Sequence, residues 1–319
     1  MFTVKYPIII NSFYRMEDLL QAEKIFTQPI KANWSEQNNV KLDILRLDLM
    51  HQVVSGNKWF KLKYYLQDAK NNGYSTIGTF GGPFSNHIIA TAFACNRTGL
   101  KSIGMIRGEK PAILSHTLRM TRHYEMHLQF ISRLAYRDKE EIKKGFKNVY
   151  WIPEGGCGNL GAKGAKEILL FCNKPEKYTH VVCAVGTGTM MAGIIHSVNP
   201  IQRVMGISIM KGNYSFTEKI KKLLSPPFEH KLYEIIQDYH FGGYAKHPTE
   251  LIQFMNNTWQ QHQLPTDIVY TAKTFYAVKQ MIVNNTIKEG SNVLMIHSGG
   301  LQGNFSLPAN TLCFNNIAF

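Results

Sequence analysis

Four short segments of this sequence contain residues whose types and spacing could do chemistry. The first is Ser55-Gly56-Asn57-Lys58, which stands directly before an amphipathic, helix-like stretch. A lysine held facing inward can form a Schiff base with a carbonyl compound when burial, or a neighbouring cation such as Lys61, lowers its pKa. Because most lysines of a chain face solvent, Lys58 alone is weak evidence for such chemistry.

The second segment, GGPFSNH (residues 81–87), follows a β-rich run and enters a helix-like one. Backbone N–H groups at the start of a helix can bind a carboxylate, and Ser85 adds a hydroxyl for hydrogen bonding or proton transfer. The same serine is equally suited to be an ordinary helix N-cap. The third segment, Pro153-Glu154-Gly155-Gly156, also ends a β-rich run and could be a simple turn.

The fourth segment is Gly186-Thr187-Gly188-Thr189, which connects the apolar run HVVCAV to a helix-like stretch of small residues. Backbone N–H groups and two hydroxyls in such a turn can hold a phosphate, helped by the positive end of the helix. Met191 occupies the place of the third glycine of a dinucleotide fingerprint, and no Gly-Lys-Ser/Thr follows. The sequence leaves a phosphate loop and a plain strand-to-helix turn equally open.

The elements that must position these segments are β-rich runs that alternate with helix-like stretches. The runs cover residues 75–80, 101–106, 128–132, 149–153, 180–185, 204–209 and 292–297. Strands alternating with helices predict an α/β fold with largely parallel sheets. Ligands of such sheets lie beyond the carboxyl ends of the strands, which is where the glycine turns fall.

Length and charge narrow the class of protein. The 319 residues suffice for about two domains, and the chain carries a net charge of +14. Residues 51–150 contain 16 Lys/Arg and six Asp/Glu, so they hold ten of those fourteen charges. Their basic clusters are no longer than pairs such as Lys143-Lys144, unlike a nucleic-acid-binding arm, and a solvated basic face is the simpler interpretation.

Cysteine usage and hydropathy favour a cytoplasmic protein without a membrane partner. The five cysteines are an odd number and include no C-x-x-C pair, which predicts reduced thiols and no metal site. No segment approaches the roughly 20 apolar residues that span a bilayer, and the first residues do not read as a signal peptide.

Taken together and in this order, the four segments resemble the pyridoxal-phosphate family of D-cysteine desulfhydrase and 1-aminocyclopropane-1-carboxylate deaminase. The resemblance covers about residues 42–300, is strongest over residues 45–108, and continues in DIVYTAK (267–273) and IHSGG (296–300). It implies an α/β fold of two three-layer α/β/α domains, tryptophan-synthase-β-like (fold type II of these enzymes). The larger domain would comprise residues 1–54 and 153–319, and the smaller, inserted domain residues 55–152.

The resemblance also implies a pyridoxal 5'-phosphate site. Lys58 would bind the cofactor as a Schiff base and move protons at the substrate carbon. The remaining cofactor residues would be Asn86 at the ring oxygen, Gly186, Thr187, Gly188 and Thr189 at the phosphate, and Thr271 at the pyridine nitrogen.

The substrate implied by the resemblance is a small amino acid. Ser85, with the backbone amides around Asn86 and His87, would bind its carboxylate. Tyr244 and Tyr270 match two tyrosines of the family that relay protons or orient the substrate; without that match each would be read as a buried tyrosine with a satisfied hydroxyl. Ser85, Tyr244 and Tyr270 thus join Lys58 as predicted catalytic residues.

Two positions distinguish the branches of the family. Thr271 stands where the deaminase branch has a glutamate, and Ser298 stands where that branch has a leucine. A hydroxyl makes the cofactor ring a weaker electron sink than a carboxylate does, and this suffices to expel a thiolate but not to open a cyclopropane. Three departures bear on the substrate pocket: Phe60, Phe84 and Cys157 replace the arginine, glutamine and serine usual in the family.

The prediction is therefore α,β-elimination from D-cysteine, which yields pyruvate, hydrogen sulfide and ammonia. The nearest alternative is 1-aminocyclopropane-1-carboxylate deaminase, followed by a D-serine dehydratase or racemase. From a different class, a basic nucleic-acid-binding protein with an enzyme-like fold would bind DNA or RNA in a salt-sensitive manner without a cofactor. As partners we expect the small amino-acid substrate and a second copy of the chain in a homodimer, but no nucleic acid and no membrane.

Overall fold

The computed structural model describes residues 20–224 and 232–314, and it places all ten described strands in two sheets. The strands are β1 (Thr27–Ile30), β2 (Lys41–Arg46), β3 (Thr76–Gly81), β4 (Lys101–Arg107), β5 (His127–Ile131), β6 (Tyr150–Ile152), β7 (His180–Val185), β8 (Arg203–Ser208), β9 (Tyr233–Ile236) and β10 (Asn292–His297).

The described α-helices follow or connect these strands. They are α1 (Asn33–Glu36), α2 (Asn57–Asn71), α3 (Asn86–Arg97), α4 (His116–His123), α5 (Lys139–Lys144), α6 (Asn159–Ala165), α7 (Thr189–Ser197), α8 (Phe216–Leu223), α9 (Thr249–His262) and α10 (Thr271–Val283). Among them, none is long and apolar enough to cross a lipid bilayer.

The larger sheet has the strand order β1-β2-β10-β7-β8-β9, and only β1 runs antiparallel to its neighbour. Its side chains alternate between two cores. Val181 and Cys183 face a core that includes helix α7, whereas Val182 of the same strand packs with Phe275 and Met281 of helix α10. Because both faces are covered by helices, the central strands β7 and β10 are almost continuously apolar, as expected of a buried parallel sheet.

The smaller sheet has the order β5-β4-β3-β6 and is entirely parallel. One face packs against helices α3 and α4 through Ile88 and Leu118, and the other against Tyr136 through Phe80 and Met105. Both sheets are therefore central layers between covering elements, which confirms the predicted three-layer α/β class.

The two sheets use separate parts of the chain, residues 76–152 for the smaller one and 27–46 with 180–297 for the larger one. Seven of the ten strands fall on runs predicted from the sequence, whereas β1, β2 and β9 were not predicted. The boundaries at residues 54/55 and 152/153 stay a prediction, and the first 19 residues of the larger predicted domain lie outside the described part.

The carboxyl ends of the two sheets approach each other. Strands β7 and β10 are neighbours in the larger sheet, and β3 and β6 are neighbours in the smaller one. The turn after β6 touches the turn after β7, because a Cβ on Gly155 would lie 2.9 Å from Cγ2 of Thr187. The facing carboxyl ends of the two sheets form a cleft, and the four segments described from the sequence lie around it.

Candidate active site

Lys58 is fixed at the cleft by a tight contact between two turns. Gly56 precedes helix α2 with φ 64°, and a Cβ there would lie 1.9 Å from the carbonyl oxygen of Ser298. The backbone N–H of Asn57 donates to the same oxygen at 3.2 Å. Only glycine fits at position 56, so the sequence Ser-Gly-Asn-Lys pins the first turn of α2 to the end of strand β10, where buried Ser298 lies.

The Lys58 ammonium has few polar neighbours. Its Nζ donates to Oδ1 of Asn57 at 2.6 Å and lies 5.6 Å from the centre of the Tyr270 ring. Burial lowers the pKa of Lys58 to about 8, although the negative charge of Asp267 acts in the opposite direction. About a tenth of such amines are unprotonated at pH 7, which favours nucleophilic or proton-accepting chemistry.

Lys61 lies one helical turn beyond Lys58 and is 5% exposed. Its Nζ is 3.4 Å from Oγ1 of Thr187. Burial, followed by the charge of Lys58, lowers the pKa of Lys61 to about 7, against an opposite effect of Cys157. From the sequence, Lys61 was predicted only as a cation near Lys58. The spacing of three residues was the available sign that both lysines face one side of the helix.

The turn between strand β7 and helix α7 presents hydroxyls to the same space. Gly188 adopts φ 80° as the N-cap of α7, and a Cβ at this residue would lie 2.8 Å from Cγ1 of Ile220. Oγ1 of Thr187 donates to Oγ1 of Thr189 at 3.2 Å. Gly186 lies beside Tyr270, since a Cβ there would lie 3.1 Å from Cε1 of that ring.

Helix α3 begins at the segment Ser85–His87. Oγ of Ser85 accepts the N–H of Ile88 at 3.3 Å, so the serine is the N-cap of this helix. Asn86 is buried: its Nδ2 donates to the carbonyl oxygen of Gly300 at 3.5 Å, and its Oδ1 accepts Nε2 of Gln302 at 2.9 Å. Gln302 thereby fixes the orientation of the Asn86 amide, a contact that sequence reasoning missed.

The imidazole of His87 is buried with one nitrogen unpaired. The Thr79 hydroxyl donates its proton to the carbonyl oxygen of Ile152 at 2.9 Å, so in its 2.9 Å contact with Nε2 of His87 it must accept. Nε2 therefore carries the ring proton, and Nδ1 has no hydrogen-bond partner. Burial and the charges of Lys61 and Lys58 hold the pKa of His87 well below its usual value, so the ring is neutral.

Tyr270 and Thr271 mark the start of helix α10. Oγ1 of Thr271 donates to Oδ1 of Asp267 at 2.8 Å and accepts the N–H of Asp267 at 2.7 Å. The buried Asp267 carboxylate also accepts the N–H groups of residues 269, 270 and 271. Thr271 is thus directly linked to a carboxylate, and Asp267 caps the helix that carries both predicted site residues.

Tyr244 lies at the mouth of the cleft and is half exposed. Its ring meets that of Tyr270 edge-on, with 6.4 Å between the ring centroids. Burial raises the pKa of Tyr244 and raises the pKa of Tyr270 well above its usual value. Both hydroxyls therefore keep their protons near neutral pH and can donate them.

The site carries positive charge on two lysine amines. None of the ion pairs in the described residues involves Lys58 or Lys61, although both amines are largely removed from solvent. Two such amines next to a hydroxyl-lined helix start are suited to an anionic, phosphate-bearing group, and the unpaired Nδ1 of His87 leaves room for a further donor.

Comparison with known proteins identifies the family to which this site belongs. The sequence pattern of the family described as "Pyridoxal-phosphate dependent enzyme" matches residues 27–299. The chain belongs to this family. Its cofactor is pyridoxal phosphate, and the cofactor prediction is confirmed.

Two similar proteins carry names of the family that the four segments resemble. A protein of Thermotoga maritima, provisionally named 1-aminocyclopropane-1-carboxylate deaminase, is 34% identical over 295 residues, which are 85% of this chain and 92% of the relative. A protein of Arabidopsis thaliana, named a mitochondrial bifunctional D-cysteine desulfhydrase/1-aminocyclopropane-1-carboxylate deaminase, is 29% identical over 296 residues, covering 83% of this chain and 74% of the relative.

A solved structure shares the fold. A crystal structure described as a 1-aminocyclopropane-1-carboxylate deaminase homologue superposes with a TM-score of 0.74 at 24% identity, covering 94% of this chain and 97% of that chain. The tryptophan-synthase-β-like fold, type II of the pyridoxal-phosphate enzymes, is thereby confirmed. The roles of the individual site residues stay predictions.

Proposed function

We propose that this pyridoxal-phosphate enzyme catalyses α,β-elimination from a small amino acid, with D-cysteine as its main substrate. With one water, D-cysteine would yield pyruvate, hydrogen sulfide and ammonia. The observation that carries the proposal is the placement of Lys58, a partly buried amine with a pKa of about 8 that lies 5.6 Å from the Tyr270 ring centre. This arrangement puts a proton acceptor beside a proton donor in one cleft.

Binding of the cofactor is assigned to residues around Lys58. Lys61 and the turn Gly186-Thr187-Gly188-Thr189 would hold the phosphate by charge and hydrogen bonds, and Asn86, oriented by Gln302, would donate to the ring oxygen. When bound, pyridoxal phosphate withdraws electrons from the α-carbon of an amino acid.

Each side chain then has a defined task. The N–H groups at the start of helix α3, with Ser85, bind the substrate carboxylate. Nζ of Lys58 accepts the α-proton. Tyr270, or Tyr244 beside it, donates a proton to the departing sulfur, because both phenols are protonated at neutral pH. Ser298, at the end of β10, would face the leaving group of the substrate.

One observation favours the deaminase as a second candidate. By residue type, Thr271 is a neutral partner of the ring nitrogen, which favours D-cysteine, but its hydroxyl is hydrogen-bonded to the buried Asp267 carboxylate at 2.8 Å. A carboxylate one hydrogen bond away strengthens electron withdrawal by the ring, which opening a cyclopropane needs. The name of the bacterial relative points the same way, whereas the name of the plant relative includes both activities.

A substrate panel tests the proposal. The purified protein with pyridoxal phosphate is assayed against D- and L-cysteine, D-serine and 1-aminocyclopropane-1-carboxylate, with sulfide, pyruvate and 2-oxobutanoate measured separately. Sulfide from D-cysteine at the highest kcat/KM supports the proposal, and 2-oxobutanoate as the dominant product supports the deaminase. Lys58→Ala should abolish turnover and the visible absorption of the bound cofactor. Retention of both would refute the assignment.

A further inference from the structure

The turn that carries Tyr244 is attached to helix α10 by a buried lysine. Lys273 is fully buried, and its Nζ donates to the carbonyl oxygens of His240 and Gly243 at 2.9 and 2.7 Å. Burial lowers the pKa of Lys273 to about 8, against an opposite effect of Asp267. Burying an amine of this kind is costly, so its presence here requires a compensating role.

Residues 240–245, named here the tyrosine turn, have an unusual backbone. Phe241, Gly242, Gly243 and Ala245 all have positive φ, at 51°, 87°, 123° and 56°. Phe241 and Ala245 carry side chains that disfavour this region, so the conformation persists only if its surroundings enforce it. Within the turn, the N–H of Gly243 donates to the carbonyl oxygen of His240 at 3.0 Å.

Two contacts with helix α10 supply external support. Nζ of Lys273 donates to the carbonyl oxygen of His240, just before the left-handed stretch, and to that of Gly243 within it. One helical turn later, Tyr276 packs edge-on against Phe241 with 4.8 Å between ring centroids. An ammonium has three donors and no acceptor, so it can satisfy both carbonyls at once. An apolar side chain of the same length would fill the space but leave each oxygen with one backbone hydrogen bond only, from the N–H of Gly243 to His240 and from the N–H of Lys246 to Gly243.

The anchor and the active-site tyrosine share one rigid element. Tyr270 is the N-cap of helix α10 and Lys273 lies in its first turn, so a turn held by Lys273 is held at a fixed distance from Tyr270. We propose that Lys273 is a positioning residue that fixes the tyrosine turn on helix α10 and so keeps Tyr244 beside Tyr270. The inference rests on the proposed function, in which these two phenols deliver a proton.

Hydrogen–deuterium exchange of the cofactor-loaded protein tests the anchor without turnover. In Lys273→Met, we expect the amides of residues 240–246 to exchange about tenfold faster, while those of strands β7 and β10 are unchanged. Lys279→Met removes a cation from the same helix that lies over Phe254, and should leave the turn unchanged. Lys273→Gln keeps two N–H donors on a shorter, uncharged side chain and should give an intermediate rate. This variant carries the test if Lys273→Met does not fold.

A double-mutant cycle tests the link to catalysis. If Lys273 acts through Tyr244, adding Lys273→Met to Tyr244→Phe lowers kcat/KM by no more than about twofold beyond the single variant. Full additivity of the two losses would overturn the positioning role, and unchanged exchange of the turn would overturn the anchor itself. If no amino acid is turned over, the proposed function fails, but the exchange experiment still decides whether Lys273 holds the turn.

Discussion

Replacement of Lys61 by methionine should weaken the binding of pyridoxal phosphate but raise the stability of the cofactor-free protein. Methionine is similar in length and fills the buried space, but removes the charge that lies 3.4 Å from Oγ1 of Thr187. A hydrogen bond to a charged group contributes about 1.5–3 kcal/mol, so the Kd for pyridoxal phosphate should rise about 10- to 150-fold. The affinity is measured by titrating the cofactor-free protein and following absorption and fluorescence.

The same change should stabilise the protein before the cofactor binds. Burial lowers the pKa of Lys61 from 10.5 to about 7, so the folded state binds fewer protons than the unfolded chain between these pH values. Burial of Lys61 therefore lowers the free energy of unfolding most strongly below pH 7, and this destabilisation disappears as the pH rises towards 10.5. The shift corresponds to at most about 5 kcal/mol, and after relaxation we expect about 1–2 kcal/mol at pH 7, or a Tm higher by about 2–4 °C.

Lys63→Met is the matched control. Lys63 lies on the same helix but is paired with Glu167, so its replacement should leave the Kd within about twofold and should not raise Tm. The reasoning is refuted if Lys61→Met binds pyridoxal phosphate as tightly as the natural protein. A lower Tm of the cofactor-free variant would instead show that Lys61 stabilises the fold.

Three further outcomes follow from the site. Since only the neutral amine attacks an aldehyde, the rate at which Lys58 reacts with added pyridoxal phosphate should rise with pH and have its midpoint near pH 8. A midpoint near 10.5 would contradict the effect of burial. Gly188→Ala should raise the Kd for pyridoxal phosphate about tenfold, since a Cβ would lie 2.8 Å from Ile220 at a backbone φ of 80°. The Kd is measured by titrating the cofactor-free variant, and an unchanged Kd would mean that the turn does not hold the phosphate. If the ten positive charges of residues 51–150 steer an anionic substrate, kcat/KM should fall as ionic strength rises from 20 to about 200 mM, and an insensitive kcat/KM would assign them to plain surface charge.

Except for β2, the inner strands were predictable, as were the glycine turns, because their signals are local. Strands such as β7 and β10 are short apolar runs of six residues closed by glycine turns, and this length and flanking pattern are typical of buried parallel strands. Strand β1 has the sequence TQPI, and its proline is compatible only with an edge or irregular position. Strand β9 is the other edge of the larger sheet, with only half-buried residues, so its pattern is equally weak.

The contacts that orient the site were not predictable, since they join residues far apart in the chain. Gln302 reaches Asn86 over 216 positions, and Lys273 reaches the carbonyls of the tyrosine turn over about 30. Nothing in the spacing of these residues distinguishes them from surface amides and lysines. Motifs therefore show which residues a family uses, while the partners that fix their orientation appear only in the folded chain.

Thr271 shows how such a partner changes a functional argument. From its type alone, threonine offers the cofactor ring a neutral hydroxyl, and that favoured expulsion of a thiolate over cyclopropane opening. In the folded chain its proton points to Asp267, and the N–H of Asp267 uses one of its two lone pairs. The lone pair that is left can accept a hydrogen bond, and the carboxylate behind it can compensate positive charge. Because the pair would act on the ring as a relayed carboxylate, the residue type at position 271 does not separate the two activities. The choice between them then depends on the groups proposed to face the leaving atom, Ser298 and the two tyrosines.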